Sequence, residues 1–322
     1  MPMPRKSLVS VDTTPSYHIV SRCVRRTFLF GVVDNKDFSH RRDAIVARLA
    51  ELTQLFCIDI SAYAIMSNHY HLVVRIQKQR ALELTTQEVI SRWSALFSLP
   101  FLAKRFSDNE DMSDTELTEA IRQIELRRER LYDLSWFMRC LNEPIARMAN
   151  LEDGCTGRFW EGRFKSQALL DERAELQAMA YVDLNPIRAK MADTLESSEF
   201  TSIQTRLDAS NSPMTPLLLP FAGDSHQSNN NEHIPYNLLE YIQLVDWTGR
   251  QFKAGKRGFI SSEIPPLIKR LKINTSAWLQ NCEALEKTYY RVIGSAVRLQ
   301  QFCEKLKQQR VLGITAARQA FG

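Results

Sequence analysis

Hydrophobic and polar positions along the first hundred residues follow patterns that predict a strand, a helix and then two strands. Residues 16–24, SYHIVSRCV, are rich in β-forming side chains and predict the first strand. The stretch NKDFSHRRDAIVARLAELTQLF has helical spacing, because its large apolar residues recur on one face: Ile45, Leu49, Leu52 and Phe56. CIDISAYAIM and HYHLVVRI then predict two strands, and their junction at Ser67 and Asn68 is short enough for a β-hairpin.

The pattern continues with helices and one further strand. Residues 101–130 contain an acidic stretch, SDNEDMSDTE, and a helix whose start is marked by capping-box spacing between Ser113 and Glu116. LYDLSWFMRCLNEPIARMAN predicts a helix, and GRFWEGRFKSQALL predicts a loop that runs into a strand. DERAELQAMAYVDL is a strong helix former that ends at Asn185 and Pro186, where a new helix, NPIRAKMA, is predicted to begin.

This element order predicts an α+β fold. We expect a ferredoxin-like antiparallel sheet backed by helices, with the strand that carries HYHLVVRI at its centre, followed by a mostly helical C-terminal domain. The predicted domains are residues 1–205, with the acidic segment 101–130 as an insertion, and residues 236–322. Residues 206–235 are rich in Ser, Asn and Pro and are interpreted as a linker.

Composition and charge narrow the class of protein. Six cysteines are scattered without a CxxC pair, which argues against a disulfide framework and a thiolate zinc site and favours a reducing cytoplasm. Neither a signal peptide nor an apolar run long enough for a membrane span is apparent, so a cytoplasmic location is predicted. Residues 236–322 carry 14 Lys and Arg against 6 Asp and Glu, whereas residues 1–235 carry 28 against 31. Basic charge concentrated in one segment indicates a polyanionic partner or a solvated helical surface.

Two histidines lie two residues apart in the predicted central strand. Side chains of a β-strand alternate between faces, so His69 and His71 point the same way and Tyr70 points the other way. One interpretation places the two imidazoles at a solvated edge without a role. The other brings them together on a metal ion that takes two nitrogen ligands. The spacing alone leaves both open.

Four blocks together carry a family resemblance: SRCVRRTFLF, AYAIMSNHYHLVV, GRFWEGRFKSQALLDE and AYVDLNPIRAKM, in this order. They resemble the single-tyrosine HUH transposases, in particular the REP-associated tyrosine transposases, over residues 15–195 apart from the acidic insertion. The later segments YIQLVDWTGRQF and GKRGFI are similar to a C-terminal extension of longer members.

The resemblance implies an activity and a site. Such enzymes cleave and rejoin single-stranded DNA at hairpin-forming repeats through a covalent 5′-phosphotyrosine, with Mg²⁺ or Mn²⁺ as cofactor. The matching nucleophile is Tyr181, and the matching metal ligands are His69, His71 and Asn185. His18 matches part of an N-terminal motif and is left outside the metal site. A monomer is expected, and the family leaves a dimer open.

Each site residue also has a structural interpretation. Tyr181 alone could be an amphipathic helix residue with its hydroxyl at the rim. Asn185 could cap the NPIRA helix instead of binding a metal. At the level of the whole chain, the alternative function is a domesticated protein that binds DNA hairpins without cutting them. A metallohydrolase is disfavoured, because the pair lacks the further carboxylates or histidines of a hydrolytic site.

DNA contacts are predicted from basic residues near the motifs and in the tail. The segment GRFWEGRFK combines guanidinium groups with aromatic rings, as single-strand binding requires, although its aromatic rings are expected mostly to pack in the core. The tail could bind DNA, mediate dimerisation or contact a host factor. The predicted DNA-binding residues are Arg22, Arg158, Arg163, Lys165, Arg188, Arg250, Lys253, Lys256 and Arg257.

Overall fold

The protein is an α+β structure, as the pattern predicts. The computed structural model describes residues 9–24, 30, 32–33, 36–208, 217–223, 232–253, 263–289, 291–305 and 312–321. The strands are β1 Ser16–Arg22, β2 Val32–Val33, β3 Lys36–Asp37, β4 Ile58–Ile65, β5 His69–Ile76, β6 Lys165–Leu169 and β7 Val292–Ile293. The helices are α1 His40–Leu55, α2 Lys78–Glu83, α3 Thr86–Ser94, α4 Phe101–Ser107, α5 Asp114–Arg130, α6 Leu134–Glu152, α7 Glu172–Asp183, α8 Asn185–Arg188, α9 Ser202–Asp208, α10 Leu238–Lys253, α11 Pro266–Arg270, α12 Thr275–Thr288, α13 Ala296–Lys305 and α14 Ile314–Phe321. In the described part of the chain, no helix has the length and apolar character that a bilayer crossing needs.

The main sheet has five strands in the order β4-β5-β1-β6-β7. Strand β1 pairs antiparallel with both β5 and β6 and is the central strand. The strand with the two histidines, β5, lies between β4 and β1, so it is inside the sheet but one position from the predicted centre. Strand β7, from the predicted C-terminal domain, pairs parallel with β6. The sheet is therefore mixed, and the expectation of a wholly antiparallel sheet is corrected at this edge.

Helix α7 carries the candidate nucleophile. Its N-cap is Asp171, whose side chain accepts a hydrogen bond from the backbone N–H of Ala174, and acidic residues in its first turn suit the helix dipole. The helix ends at Asp183, two residues before Asn185 of the Asn185–Pro186 pair. The next helix, α8, is shorter than predicted, because Lys190 adopts a left-handed conformation with φ of 56°.

A buried polar cluster ties α7 to the sheet. The carboxylate of Glu175 accepts hydrogen bonds from Ser16 at 3.0 Å and Ser61 at 2.7 Å, and pairs with Arg75 at 2.8 Å. Each side chain comes from a different element: α7, β1, β4 and β5 respectively. Buried charge is tolerated only when it is paired and hydrogen-bonded, so this cluster favours one placement of α7 over the strands.

The chain divides into two compact units. One comprises residues 1–43, 60–75 and 160–322, and the other comprises residues 44–59 and 76–159. The second unit has its own apolar core around Trp93, Ile124 and Leu131. Its helix α5 begins with the predicted capping box, in which Ser113 and Glu116 satisfy each other's backbone N–H groups. The acidic segment is thus folded into helices of this unit.

The first unit contains residues from both sides of the predicted linker. Strand β7 extends the sheet, and the backbone N–H of Leu170 donates to Ile293 at 2.9 Å. The division into domains 1–205 and 236–322, joined by a linker at residues 206–235, stays a prediction.

Candidate active site

Three aromatic side chains from separate elements meet on one face of the sheet. His71 of β5 and His18 of β1 stack with ring centroids 5.2 Å apart. The ring of Tyr181 on α7 approaches both edge-on, with its centroid 5.6 Å from that of His71 and 5.8 Å from that of His18. Tyr181 and His71, which are 110 positions apart in the sequence, therefore lie side by side.

A chain of hydrogen bonds assigns the tautomer of His71. The amide of Gln167 donates to the carbonyl of Tyr289, so its oxygen accepts from Nδ1 of His18 at 2.6 Å. Burial lowers the pKa of His18, which is therefore neutral and uses Nε2 to accept from Nδ1 of His71 at 2.9 Å. The Nε2 of His71 is left with its lone pair, and it has no hydrogen-bond partner within the described residues.

His69 has the same tautomer for a local reason. Its Nδ1 lies 2.6 Å from the side-chain oxygen of Asn68, which can only accept, so the proton sits on Nδ1 and the lone pair on Nε2. Burial lowers the pKa of His69 to about 4, and burial together with the neighbouring imidazoles holds the pKa of His71 well below its ordinary value. Both imidazoles are thus neutral at pH 7, which is the form that binds a metal.

Asn185 is buried next to the end of α7, and the structure removes one of its two interpretations. It is the first residue of α8, the N-cap of that helix is Leu184, and no side chain caps it. The predicted capping role of Asn185 is therefore wrong. Its Nδ2 is buried without a hydrogen-bond partner among the residues described. A buried amide in this state is unusual, because an unmade hydrogen bond costs about 1–3 kcal/mol.

Tyr181 is buried, with 6% of its surface exposed. Burial raises the pKa of its hydroxyl, although the guanidinium of Arg188, 3.8 Å above the ring centroid, acts in the opposite direction. Arg188 also donates to the carbonyls of Cys282 and Glu283 in α12. Tyr181 is therefore not a residue at the rim of the helix with its hydroxyl in water, because its side chain is buried and its hydroxyl donates to Glu286.

Glu286 of α12 is a site residue that the sequence did not indicate. It accepts a hydrogen bond from the Tyr181 hydroxyl at 3.2 Å and pairs with Arg22 at 3.2 Å. The same oxygen, Oε1, lies 3.7 Å from Nε2 of His71. Burial acts to raise the pKa of Glu286, but the charge of Arg22 and the hydrogen bond from Tyr181 act against it, and this pKa lies below its ordinary value. No motif surrounds Glu286, and 105 positions separate it from Tyr181.

The donor set fits a loosely held divalent cation. Two Nε2 lone pairs are available, whereas the described residues contain no group of three or more His, Cys, Asp or Glu arranged to hold a metal. The unpaired buried atom of Asn185 is Nδ2, an N–H donor, so this amide would bind a metal only through its oxygen. Mg²⁺ and Mn²⁺ favour oxygen ligands and keep several positions for water and phosphate. His69, His71 and Asn185 would be the residues to hold such an ion, with the remaining ligands supplied by substrate and water.

The predicted DNA-binding residues occupy several environments. Arg22 and Arg188 lie at the site, while Arg163 and Lys165 are exposed at the start of β6. Arg158 is exposed and belongs to the other compact unit. In the tail, Arg250 pairs with Asp246 on the surface of α10, and Lys253 is the last residue of that helix. Lys256 and Arg257 lie outside the described residues.

Two of the three aromatic residues of GRFWEGRFK, Phe159 and Trp160, pack as expected, and Phe164 is half-buried. Phe159 is buried, and the ring of Trp160 meets that of Tyr70 at right angles with centroids 5.5 Å apart. Tyr70 points away from the face that carries His69 and His71, in accordance with strand alternation. This tyrosine therefore belongs to the core and not to the site.

Comparisons with known proteins give one distant likeness. No family model and no curated protein matches the sequence. Among solved structures, the chain is similar to one described as "Structure of the REP associates tyrosine transposase bound to a REP hairpin", at 11% identity and a TM-score of 0.34. The likeness covers 73% of this chain and 100% of the other.

Proposed function

We propose that this chain is a transposase that cleaves and rejoins single-stranded DNA at hairpin-forming repeats, with Tyr181 as nucleophile. One observation supports this proposal above all. Tyr181 and His71 come from distant parts of the sequence, and their ring centroids lie 5.6 Å apart. A tyrosine beside neutral imidazoles with free Nε2 lone pairs suits transfer of a phosphoryl group.

In the proposed reaction, the Tyr181 oxygen attacks a backbone phosphorus. A bond forms between this oxygen and phosphorus as the hydroxyl proton passes to water, and the bond to the 3′-oxygen breaks. The leaving 3′-oxygen takes a proton from water, which leaves a 5′-phosphotyrosine and a free 3′-hydroxyl. Attack by a 3′-hydroxyl on the same phosphorus reverses the step, so no nucleotide hydrolysis is needed. A divalent cation, when bound, would neutralise the phosphate charge and polarise phosphorus.

The chain's own residues prepare this step. Burial raises the pKa of Tyr181, so the hydroxyl is unreactive by itself and reacts only where its environment favours loss of the proton. Arg188 lies over the ring and stabilises negative charge that develops on the phenolic oxygen. Arg22, at the end of β1, is placed to meet a phosphate oxygen once DNA enters.

The nucleophile is tested with hairpin oligonucleotides taken from palindromes in the DNA that flanks the gene. With Mn²⁺, a 3′-labelled oligonucleotide should become covalently attached to the protein, whereas a 5′-labelled one should yield a shorter free fragment. Tyr181→Phe should bind the same DNA and form no adduct. Tyr236→Phe is the matched control, because Tyr236 is also buried and its hydroxyl has no described hydrogen-bond partner.

The result separates the two functions. An adduct with wild type and the control, but not with Tyr181→Phe, supports the transposase. Tight hairpin binding without any adduct from wild type supports the non-cleaving binding protein. Cleavage that persists in Tyr181→Phe would remove the nucleophile assignment.

A further inference from the structure

Helix α12 brings a carboxylate to the reacting atom of the proposed site. The hydroxyl of Tyr181 donates to Oε1 of Glu286 at 3.2 Å, while Arg22 pairs with Oε2 at 3.2 Å. Glu286 is about one quarter exposed, so its charge is partly withdrawn from water. An anion at a place that must receive a phosphate opposes DNA binding. Its presence there therefore calls for a role that compensates for this repulsion.

The position of Glu286 is set by the local structure of α12. The helix begins with Asn274 as N-cap, which accepts from the backbone N–H of Ala277 at 3.0 Å. It then leaves helical geometry at Ala284, where φ is −135° and ψ is 32°. The carbonyls of Cys282 and Glu283, just before this kink, accept hydrogen bonds from Arg188. The Arg188 side chain therefore bonds to backbone carbonyls at the kink, and such insertion of a side chain is one of the known causes of a helix kink.

Arg188 links the kink to the nucleophile. Its guanidinium lies over the Tyr181 ring at 3.8 Å and bonds to α12 at the same time. The segment that bears Glu286 is thus bonded to Arg188 of α8 and to Arg22 at the end of β1. Two independent contacts place one carboxylate oxygen next to one hydroxyl.

We infer that Glu286 is a further catalytic residue, which accepts the hydrogen bond of the Tyr181 hydroxyl and thereby orients the phenolic oxygen for attack. This inference rests on the proposed function. A phenolic O–H can turn about its C–O bond, and a fixed acceptor selects one direction for the hydrogen and hence for the lone pairs. Loss of such alignment slows a displacement step by about 10²-fold.

The test compares three variants in single-turnover reactions at saturating DNA. Glu286→Ala removes the acceptor and should lower the rate constant of adduct formation by about 10²-fold, with unchanged or tighter DNA binding. Glu286→Gln keeps an amide oxygen that can accept the same bond and should lose less. Glu283→Ala, an exposed glutamate of the same helix, should match wild type, because Arg188 uses only the backbone carbonyl of residue 283.

A second measurement reports the hydrogen bond without any reaction. In protein labelled with ¹³C at the ζ carbon of tyrosine, the Tyr181 resonance is identified by its loss in Tyr181→Phe. Glu286→Ala should shift this resonance, and Glu283→Ala should leave it in place. This measurement stands even where wild type forms no adduct, so failure of the proposed function and failure of this inference are distinguishable.

Three outcomes would overturn the inference. An unshifted Tyr181 resonance in Glu286→Ala would show that the hydrogen bond does not exist in solution. A faster reaction in that variant would make α12 a shield over the phosphate position instead of a part of the site. A raised Mn²⁺ requirement, with the rate constant at saturating Mn²⁺ unchanged, would make Glu286 a metal ligand. Should Glu286→Ala unfold, the same comparisons apply to Glu286→Leu, which also removes the acceptor but keeps most of the side-chain volume.

Discussion

The tautomer of His71 depends on three other residues. His18, Gln167 and the backbone carbonyl of Tyr289 form the hydrogen-bond chain that keeps the proton of His71 on Nδ1. His71 is itself 1% exposed, so its replacement by alanine disturbs packing as well as chemistry. A variant further along this hydrogen-bond chain, away from His71 itself, is therefore the better probe of metal binding.

Gln167→Leu should weaken Mn²⁺ binding by about 10–100-fold, because the side-chain oxygen that accepts from His18 Nδ1 and fixes the His18 tautomer is gone. Mn²⁺ affinity measured by electron paramagnetic resonance reports the effect without DNA. Gln301→Leu, on an exposed position of α13, is the control and should bind Mn²⁺ as wild type does. If a folded Gln167→Leu protein binds Mn²⁺ with the same affinity as wild type, the proposed role of the hydrogen-bond chain is wrong.

Asn185 illustrates how local context can mislead. An asparagine before a proline is a frequent helix cap, and the sequence supports that role as well as it supports a metal ligand. In the structure the α8 helix includes Asn185, and the side chain is buried without capping the backbone. The cap interpretation is therefore removed, and the ligand role of this amide stays a prediction.

At the scale of elements, α7 is anchored at its C-terminal end by Asp183. This buried carboxylate accepts hydrogen bonds from Ser202 and from the backbone N–H of Ile203 at 2.9 Å, both in α9, and from Tyr241 of α10 at 2.5 Å. Asp183 follows Tyr181 by two positions, so these bonds also hold the turn of helix that carries the nucleophile.

Asp183 predicts a pH dependence of stability. Burial raises its pKa from the ordinary 3.8 to about 6, so the folded protein binds this proton more tightly than the unfolded chain does. The resulting stabilisation is complete below about pH 4 and disappears as pH rises through about 6, a change of about 3 kcal/mol. Asp183→Asn cannot titrate and should lack this change.

Urea unfolding of both proteins at several values between pH 4 and pH 7 measures the effect. Other carboxylates titrate in both proteins alike, so the difference between the two unfolding free energies isolates Asp183. Wild type should lose stability relative to Asp183→Asn across this range. Parallel curves would show that Asp183 has the same pKa folded and unfolded.

At the scale of the whole molecule, the C-terminal residues are part of the compact unit that holds the site. Strand β7 pairs with β6, Glu286 bonds to Tyr181, and the Tyr289 carbonyl ends the hydrogen-bond chain of His71. Deletion of residues 236–322 should therefore abolish adduct formation even on a short unstructured substrate, because it removes site residues as well as basic charge.

Neutralising the basic residues of the tail separates the effect of lost charge from the effect of lost site residues. Replacement of Arg250, Lys253, Lys256 and Arg257 by alanine leaves Glu286 and β7 in place, so adduct formation on a short substrate should continue. If these residues hold the phosphates of a DNA hairpin, each lost contact should reduce the slope of log affinity against log salt by about 0.7–0.9. An unchanged slope, together with a shifted oligomer mass, would make the tail an assembly module.

Short-range patterns in the sequence determined most of the elements. Strand β1, the β4–β5 hairpin, α1 with Ile45 and Leu49 buried, and the Ser113 capping box were all predicted from spacings of a few residues. The placement of His69 and His71 on one strand face also follows from alternation alone. Such features need no knowledge of distant partners, because neighbouring residues alone determine them.

Only the tertiary structure decided what completes the site. The Gln167–His18–His71 chain and the Tyr181–Glu286 bond join residues 149, 53 and 105 positions apart, and no local pattern encodes which side chains such contacts bring together. The two-residue strand β7 is likewise too short to leave a period in the sequence, and its pairing with β6 exists only because the fold presents an open edge there. The physical reason is the same in each case: distant side chains become neighbours through packing of the whole unit, and their hydrogen bonds form only after that packing is in place.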